Sequence, residues 1–340
     1  MSAHPPSHLR GVNLAGWLVA QAAPDHLQHF IDQADLARLA SWRFTHVRLP
    51  LDGALLDEPG GWAALEAALA RCLDAGLACV LALQIDQNGL FTGQARWTAL
   101  LERWRAIAHH YYHWPATLAF CLLDRPDPPD DLPPEALAAL GAARSSPAAA
   151  QRSPAPGAIG ARAWNALALR LTQAIREIDE QRPLVVESSR RAAPAAFAHL
   201  RATRDPHTLY SFHCFDPTSF TLRGEGTYPG LTGGELWDRH RLERLLQPAL
   251  EFRRTYEAPL YLGAFGATIT APHTARLTWV RTLVSLCHRH GIGWAYWAYK
   301  ADEGSPFGLV CHSGPCRAHP AFSNPQRLDY DLLGVLQSEA

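Results

Sequence analysis

The stretch HVRLPLDGALLDEPGGWAALEAALARCLDAGLACVLALQ, residues 46–84, indicates the fold class. It begins with a short apolar run at 46–49, continues with an amphipathic segment at 62–74 and ends with a second apolar run at 78–84. Short apolar runs with β-branched side chains are typical of buried strands, whereas apolar residues spaced three and four apart are typical of helices. The stretch therefore predicts a strand–helix–strand unit, from which parallel sheets are built.

The same alternation continues in both directions along the chain. The spacing predicts helices at 34–42, 62–74, 97–112, 161–180, 236–255 and 274–290. The predicted strands lie at 11–14, 46–49, 78–84, 118–124, 184–187, 209–213, 260–265 and 293–297. Eight strands, each followed by a helix or a long loop, predict an α/β fold in which a single domain, residues 1–340, forms a (β/α)8 barrel. The alternative is a doubly wound open sheet, but no G-x-G-x-x-G motif follows a strand.

Composition and charge exclude several classes of protein. Hydrophobic residues make up 48% of the chain and charged residues 19%, a balance that excludes wholesale disorder. The formal net charge of -1 gives no overall attraction to nucleic acid or to anionic lipid. No apolar run is long enough to span a bilayer, and the first residues lack the pattern of a signal peptide. With seven scattered cysteines, the sequence predicts a cytoplasmic protein that binds neither nucleic acid nor membrane.

Residues 127–160 depart from the alternation, because they are rich in Pro, Ala, Ser and Arg and have weak periodicity. They follow the fourth predicted strand, so in a barrel they would form a long loop on the face where sites are built. We interpret the segment as a mobile insertion. A lid over a cleft is the alternative.

Six motifs occur in the order and spacing of one enzyme family. They are GVNLAGWLV (11–19), THVRLPL (45–51), RWRAIAHHYYHWPATLAFCLLDRP (103–126), YSFHCFDP (210–217), PLYLGAFGA (259–267) and GIGWAYWAYK (291–300). Over residues 10–309 the sequence resembles glycoside hydrolase family 5, the cellulase and exo-β-glucanase group of TIM-barrel enzymes. The resemblance implies a carbohydrate ligand, an oligosaccharide or polysaccharide of the β-glucan type, and no cofactor.

The resemblance also implies that the catalytic pair is missing. A retaining glycosidase needs two carboxyl groups about 5 Å apart, one as acid/base and one as nucleophile. The matching positions hold Arg125 and Ala264. A guanidinium does not release its proton at working pH, and an alanine side chain has no nucleophile. We therefore expect a catalytically inactive protein, a pseudo-glycosidase that binds a carbohydrate without cleaving it.

The residues that the resemblance assigns to carbohydrate binding are Trp17, Arg48, Gln84, Asp124, His213, Phe215 and Trp297. Trp297 is expected to stack under a sugar ring, with plain core packing as the alternative. His213 fits a ligand contact and a structural strand-end histidine equally well. Arg48 loses its family partner because Ala264 has no carboxylate, so we expect it to pair with Asp124 or with a ligand oxygen.

The exchange of a glutamate for Arg125 adds positive charge to the predicted cleft. The guanidinium group of arginine can donate two parallel hydrogen bonds to a carboxylate or phosphate group. The sequence therefore predicts a preference for acidic or phosphorylated oligosaccharides. The alternative is that Arg125 turns outward, or pairs with Asp124 or Asp127, and leaves the cleft neutral.

Other carboxylates offer a route to activity. Glu187 ends the fifth predicted strand, and the surrounding loops contain Asp86, Asp216, Glu225, Asp302 and Glu303. If two of them straddled the glycosidic bond, the protein would be an active β-glycosidase or transglycosylase. A third alternative is a scaffold that binds a protein partner through the cleft or the Pro-rich loop.

The motif CHSGPCRAH (311–319) places four potential zinc ligands close together, Cys311, His312, Cys316 and His319. The spacing fits no common zinc finger, so we expect no metal and interpret the four as free loop residues. A disulfide between the two cysteines is a further alternative. Cys214, next to His213, is a weak candidate for a thiol nucleophile.

Overall fold

The predicted barrel is confirmed. A computed structural model describes residues 9–142, 157–301, 306–312, 316 and 318–338. Eight parallel strands form a closed barrel in the order β1-β10-β9-β6-β5-β4-β3-β2. They are β1 (Arg10–Asn13), β2 (His46–Asp52), β3 (Ala78–Gln84), β4 (Leu118–Cys121), β5 (Leu184–Glu187), β6 (Thr208–Cys214), β9 (Leu260–Phe265) and β10 (Gly293–Tyr296). The predicted bounds of β3, β5 and β9 agree with the structure, and the other strands differ by one to three residues at an end.

Helices alternate with these strands. They are α1 (Pro24–His29), α2 (Gln33–Ser41), α3 (Gly61–Asp74), α4 (Gln94–His110), α5 (Pro134–Ala139), α6 (Ala158–Arg176), α7 (Ser189–Ala192), α8 (Thr218–Thr221), α9 (Arg239–Tyr256), α10 (His273–Arg289) and α11 (Tyr330–Gln337). The short α7 contains left-handed residues, Arg190 and Arg191, so it is a turn rather than a regular helix. Among the described helices, none is long and apolar enough to cross a membrane.

Two small sheets lie outside the barrel. Strands β7 (Gly230–Thr232) and β8 (Glu235–Trp237) form an antiparallel hairpin, and β11 (Lys300–Ala301) pairs in parallel with β12 (Val310–Cys311). The hairpin corrects the predicted helix 236–255, because β8 occupies its first residues. Gly233 and Gly234 have φ of 60° and 81°, the left-handed conformation that a two-residue hairpin turn requires.

The chain divides into two compact units. The first contains the residues up to Val80, His213–Gln247 and the chain from Leu260 onward, and the second contains Leu81–Phe212 and Pro248–Pro259. The prediction of a single domain over residues 1–340 stays a prediction.

Part of the predicted insertion 127–160 is regular structure. It contains α5 and the beginning of α6. The structure starts α6 at Ala158, three residues earlier than predicted. The Asp130 carboxylate stabilises this start, because it accepts hydrogen bonds from the N–H groups of Gly157 and Gly160 at 2.6 and 3.1 Å. Residues 143–156 lie outside the described part of the chain, so the choice between a mobile insertion and a lid stays a prediction.

Buried tryptophans of three helices fix the chain where barrel strands end. In the second unit, the indole N–H of Trp104 donates to the carbonyl of Leu122 at 2.8 Å, and that of Trp164 donates to the carbonyl of Glu187 at 2.7 Å. In the first unit, Trp279 donates to the carbonyl of Asp216 at 2.9 Å. A buried indole pairs its N–H, so each of these side chains anchors the backbone beside a predicted site position.

Candidate functional site

Two buried carboxylates stand at strand ends of the second unit. Glu187 is the last residue of β5, and Asp124 follows β4 by three residues. Both are buried, and a carboxylate oxygen of one lies within 4.8 Å of a carboxylate oxygen of the other. The Nε2 of Gln84, the last residue of β3, donates to Oδ2 of Asp124 at 2.7 Å. The structure thus brings the predicted residues Gln84 and Asp124 together with Glu187, and we call Asp124 and Glu187 the carboxylate pair.

Arg125 lies beside this pair in a left-handed conformation with φ of 50°. Its backbone N–H donates to Oε2 of Glu187 at 2.8 Å, and its Nε lies 3.6 Å from Oδ2 of Asp124. Gln87 donates from Nε2 to the carbonyls of both Asp124 and Arg125, which holds the turn. Left-handed backbone is costly for a residue with a side chain, and these hydrogen bonds stabilise it.

The charge of Arg125 is therefore largely matched by a neighbour. Its side chain is 50% exposed, whereas that of Asp124 is 3% exposed. This pairing is the alternative under which the predicted preference for anionic oligosaccharides disappears. The preference itself stays a prediction.

Arg48 is held in the first unit by a residue that the sequence did not single out. It is fully buried, and its Nη1 donates to Oδ1 of Asn13 at 3.1 Å. The Nδ2 of Asn13 donates in turn to the carbonyl of Gly263 at 3.0 Å. Gly263 precedes Ala264, so Asn13 connects Arg48 to the strand position that the resemblance gives to the nucleophile. Asn13 faces Arg48 in the β1–β2 register, and this pairing depends on the sheet rather than on local sequence.

Three aromatic residues of the first unit are a separate group of candidate binding residues. Trp297 follows β10 directly and is partly exposed, which favours the stacking role over plain core packing, and the role stays a prediction. The rings of Phe215 and Phe307 meet edge to face with centroids 6.2 Å apart. A Cβ atom on Gly266 would overlap the carbonyl oxygen of Trp297 and lie 3.6 Å from the Phe307 ring, so only glycine permits this packing. We call Phe215, Trp297 and Phe307 the aromatic group. Sequence analysis missed Phe307 because it lies in an irregular segment.

Two predicted binding residues lie in the protein interior. Trp17 is fully buried, its indole N–H donates to the carbonyl of Leu27 at 2.9 Å, and the Arg71 guanidinium lies 4.9 Å from its ring centre. A sugar cannot reach a ring that is covered in this way, so the assignment of Trp17 to carbohydrate binding is wrong. His213 is buried near the end of β6.

The remaining loop carboxylates differ in environment. Asp86 lies on the surface, where the N–H of Asn88 and the Arg96 guanidinium lower its pKa. Glu225 is also exposed and pairs with Arg223 at 3.0 Å. Burial raises the pKa of Asp216, which favours its protonated form. Asp302 and Glu303 lie outside the described residues.

The CHSGPCRAH motif contains a disulfide. Cys311 and Cys316 are bonded, and the Nδ1 of His319 accepts the N–H of Ala321 at 3.3 Å. The His312 ring packs edge to face on Phe30. Disulfide sulfurs are not thiolate ligands, so the weak zinc candidate is lost and the interpretation as free loop cysteines is wrong. Cys214 is fully buried, and burial raises its pKa, which argues against its proposed role as a nucleophile.

A thiol titration checks the disulfide directly. Of the seven cysteines, five lie outside the disulfide and keep a thiol, and all five are buried: Cys72, Cys79, Cys121, Cys214 and Cys287. We expect Ellman's reagent to detect five thiols in the denatured, unreduced protein and seven after reduction. The Cys311→Ser variant should show six in both states, and seven thiols without reduction would contradict the bond.

Comparison with known proteins identifies the family. Residues 4–303 match the model of the cellulase family, glycosyl hydrolase family 5. The chain belongs to this family. It is 24% identical to "Endoglucanase C" of Acetivibrio thermocellus, over 85% of this chain and 90% of that protein. It is 23% identical to "Cellodextrinase A" of Ruminococcus flavefaciens, over 84% of this chain and 83% of that protein.

Solved structures of family 5 cellulases share the fold. Thermotoga maritima Cel5A in complex with cellobiose superposes with a TM-score of 0.73 at 21% identity, covering 98% of this chain and 100% of that one. At 21% identity the structural similarity establishes that the two chains share the barrel fold. The cellobiose is bound by Cel5A, and the similarity does not show that this chain binds it.

Proposed function

We propose that this family 5 protein binds a β-linked glucose oligosaccharide and does not cleave it by the double displacement of retaining glycosidases. One observation carries the proposal. Arg125 and Ala264 stand at the two strand-end positions that the family resemblance gives to the acid/base and the nucleophile. Neither side chain supports its step, because one is a paired cation and the other a methyl group.

The aromatic group and the relatives support the ligand class. Partly exposed rings such as Trp297 and Phe215 offer flat apolar faces to pyranose rings, and polar groups fix the orientation of a bound ligand. The relatives are named as an endoglucanase and a cellodextrinase, and the bound ligand of the Cel5A structure is cellobiose. We therefore infer a cello-oligosaccharide as the ligand. The cytoplasmic location is proposed on the sequence alone, and the Cys311–Cys316 disulfide counts against it because cytosolic thiols are kept reduced.

The carboxylate pair favours a second candidate, a hydrolase that uses displaced carboxylates. Its oxygens approach within 4.8 Å, close to the separation of about 5 Å that a retaining mechanism needs. Against this candidate, Gln84 donates to Asp124 and the N–H of Arg125 donates to Glu187, so both carboxylates already serve as hydrogen-bond acceptors within the fold. Asp124→Asn and Glu187→Gln would abolish any activity that depends on the pair.

Titration with cellotetraose tests the proposal. We expect saturable binding, followed by tryptophan fluorescence and calorimetry, and a loss of affinity of about tenfold in Trp297→Ala because a stacking face is removed. Tyr112→Ala is the matched control, since Tyr112 is an exposed ring at the end of α4 that belongs to no part of the candidate site. Absence of binding would contradict the proposal and favour the protein scaffold.

A further inference from the structure

A positively charged pocket lies on the second unit, apart from the residues described above. Its volume is about 560 Å³, and its lining includes Arg162, Arg201 and Arg204 but no acidic residue among the described residues. The pocket therefore has an excess of positive charge that its own lining does not neutralise. We call it the arginine pocket.

Two of the guanidinium groups are available to a ligand. Within the described chain, the side chains of Arg201 and Arg204 form no hydrogen bond or ion pair. Both residues are exposed. Nearby Asp205 does not neutralise them, because it forms a two-pronged ion pair with Arg176, at 2.6 and 2.9 Å.

The loop that carries these arginines is fixed at both ends. Asn165 of α6 accepts the N–H of Arg201 at 3.0 Å and donates to the carbonyl of His199 at 2.9 Å. The buried hydroxyl of Tyr210 contacts both the N–H and the Oγ1 of Thr203, at 2.8 and 3.0 Å. A preorganised loop loses little conformational entropy when a ligand binds, which raises affinity.

The chemistry of the lining defines the ligand. Arginine forks form paired, charge-assisted hydrogen bonds to phosphate and carboxylate oxygens. The exposed ring of Tyr256 adds an apolar face and a hydroxyl. The volume is within the range of small-molecule sites. We propose that the arginine pocket binds a small polyanion with at least two phosphate or carboxylate groups.

Calorimetry on the full chain tests this proposal with inorganic pyrophosphate and with citrate as probes. We expect at least one of them to bind with Kd of about 10⁻⁴ M or lower in low salt, and to bind more weakly at high salt because exposed charges are screened. Binding of pyrophosphate alone identifies phosphate as the ligand chemistry, and binding of citrate alone identifies carboxylate. Failure of both probes to bind up to about 10 mM would overturn the proposal, since no site of that affinity would exist.

Variants locate the binding. We expect Arg201→Ala with Arg204→Ala to weaken binding by at least about thirtyfold, because the charge-assisted hydrogen bonds of both guanidinium groups are lost. The pair of lysine substitutions should retain an intermediate affinity, since charge remains without the fork. Arg254→Ala is the control for the loss of a surface arginine: this α9 residue is 71% exposed and does not line the pocket. Unchanged binding in the alanine pair, with a native circular dichroism spectrum, would place the probe elsewhere and reject the proposal.

Discussion

The wild-type protein should hydrolyse neither cellotetraose nor an aryl β-cellobioside above background. Arg125 is a paired guanidinium, which does not release a proton to a leaving group at neutral pH, and Ala264 presents a methyl group. In a catalytic unit that acts in concert, loss of one member alone can reduce the rate by about 10⁶-fold. The measurement is release of the aryl leaving group and of reducing ends over several days at micromolar enzyme.

Restoring both carboxyl groups should create measurable hydrolysis. The double variant is Arg125→Glu with Ala264→Glu. In it, the new carboxyl group at position 125 would lie near Asp124, and Asp124 would no longer have the Arg125 guanidinium beside it. A neighbouring like charge raises a carboxyl pKa toward that of a general acid. Each single replacement should stay inactive, because the acid and the nucleophile are both required. The glutamine pair, Arg125→Gln with Ala264→Gln, is the matched control, since it changes shape similarly and adds no carboxyl group.

One outcome would contradict the expected inactivity of the wild type. Turnover of the wild type at kcat near about 1 s⁻¹, an ordinary enzyme value, would reject the inactive interpretation. If Asp124→Asn or Glu187→Gln then removed that activity, the carboxylate pair would be the reacting groups. Activity that survived both substitutions would point to another carboxyl group, of which Asp216 is the first to test because burial raises its pKa.

The sequence predicted the barrel because its strands are continuous buried runs with clear ends. Those at 78–84, 184–187 and 260–265 agree with the structure residue for residue, since buried parallel strands leave a strong apolar signal. The predicted start of α9 was wrong because the apolar residues of β8 continue the helical spacing. The hairpin is marked in the sequence only by the two glycines before β8. Local pattern does not distinguish such a strand from the first turn of a helix.

The candidate site was less predictable because it depends on contacts between distant segments. Trp17 and Trp297 both occur in motif positions, yet one is covered by Arg71 and the other is partly exposed. Asn13 reaches Arg48 only through the pairing of β1 with β2. The Phe307 ring contacts the Phe215 ring, although the two residues lie far apart in the sequence. The local spacing of residues cannot predict such a contact.

Arg276, in the predicted helix 274–290, is a further residue whose contacts depend on a distant segment. It is fully buried and its Nη2 forms an ion pair with Asp329, which is also buried. Asp329 accepts the N–H of Leu332 at 2.9 Å and so caps α11, and its own N–H donates to the carbonyl of Leu309. The pair thereby ties the C-terminal segment, including the chain just after Phe307, to α10.

Removing Arg276 should destabilise the protein by about 3–5 kcal/mol, because Asp329 would stay buried without its cation. Urea unfolding of Arg276→Met measures this change. The double variant with Asp329→Asn should recover part of the loss, since asparagine keeps the cap and leaves no unpaired charge. Arg223→Ala, from an exposed pair, should change stability by less than about 1 kcal/mol.

The Arg276→Met variant should also bind cellotetraose more weakly at temperatures below its unfolding transition, because Phe307 directly precedes the segment that the Arg276–Asp329 pair holds in place. A stability loss no larger than that of Arg223→Ala would show that this buried pair does not hold the C-terminal segment in place.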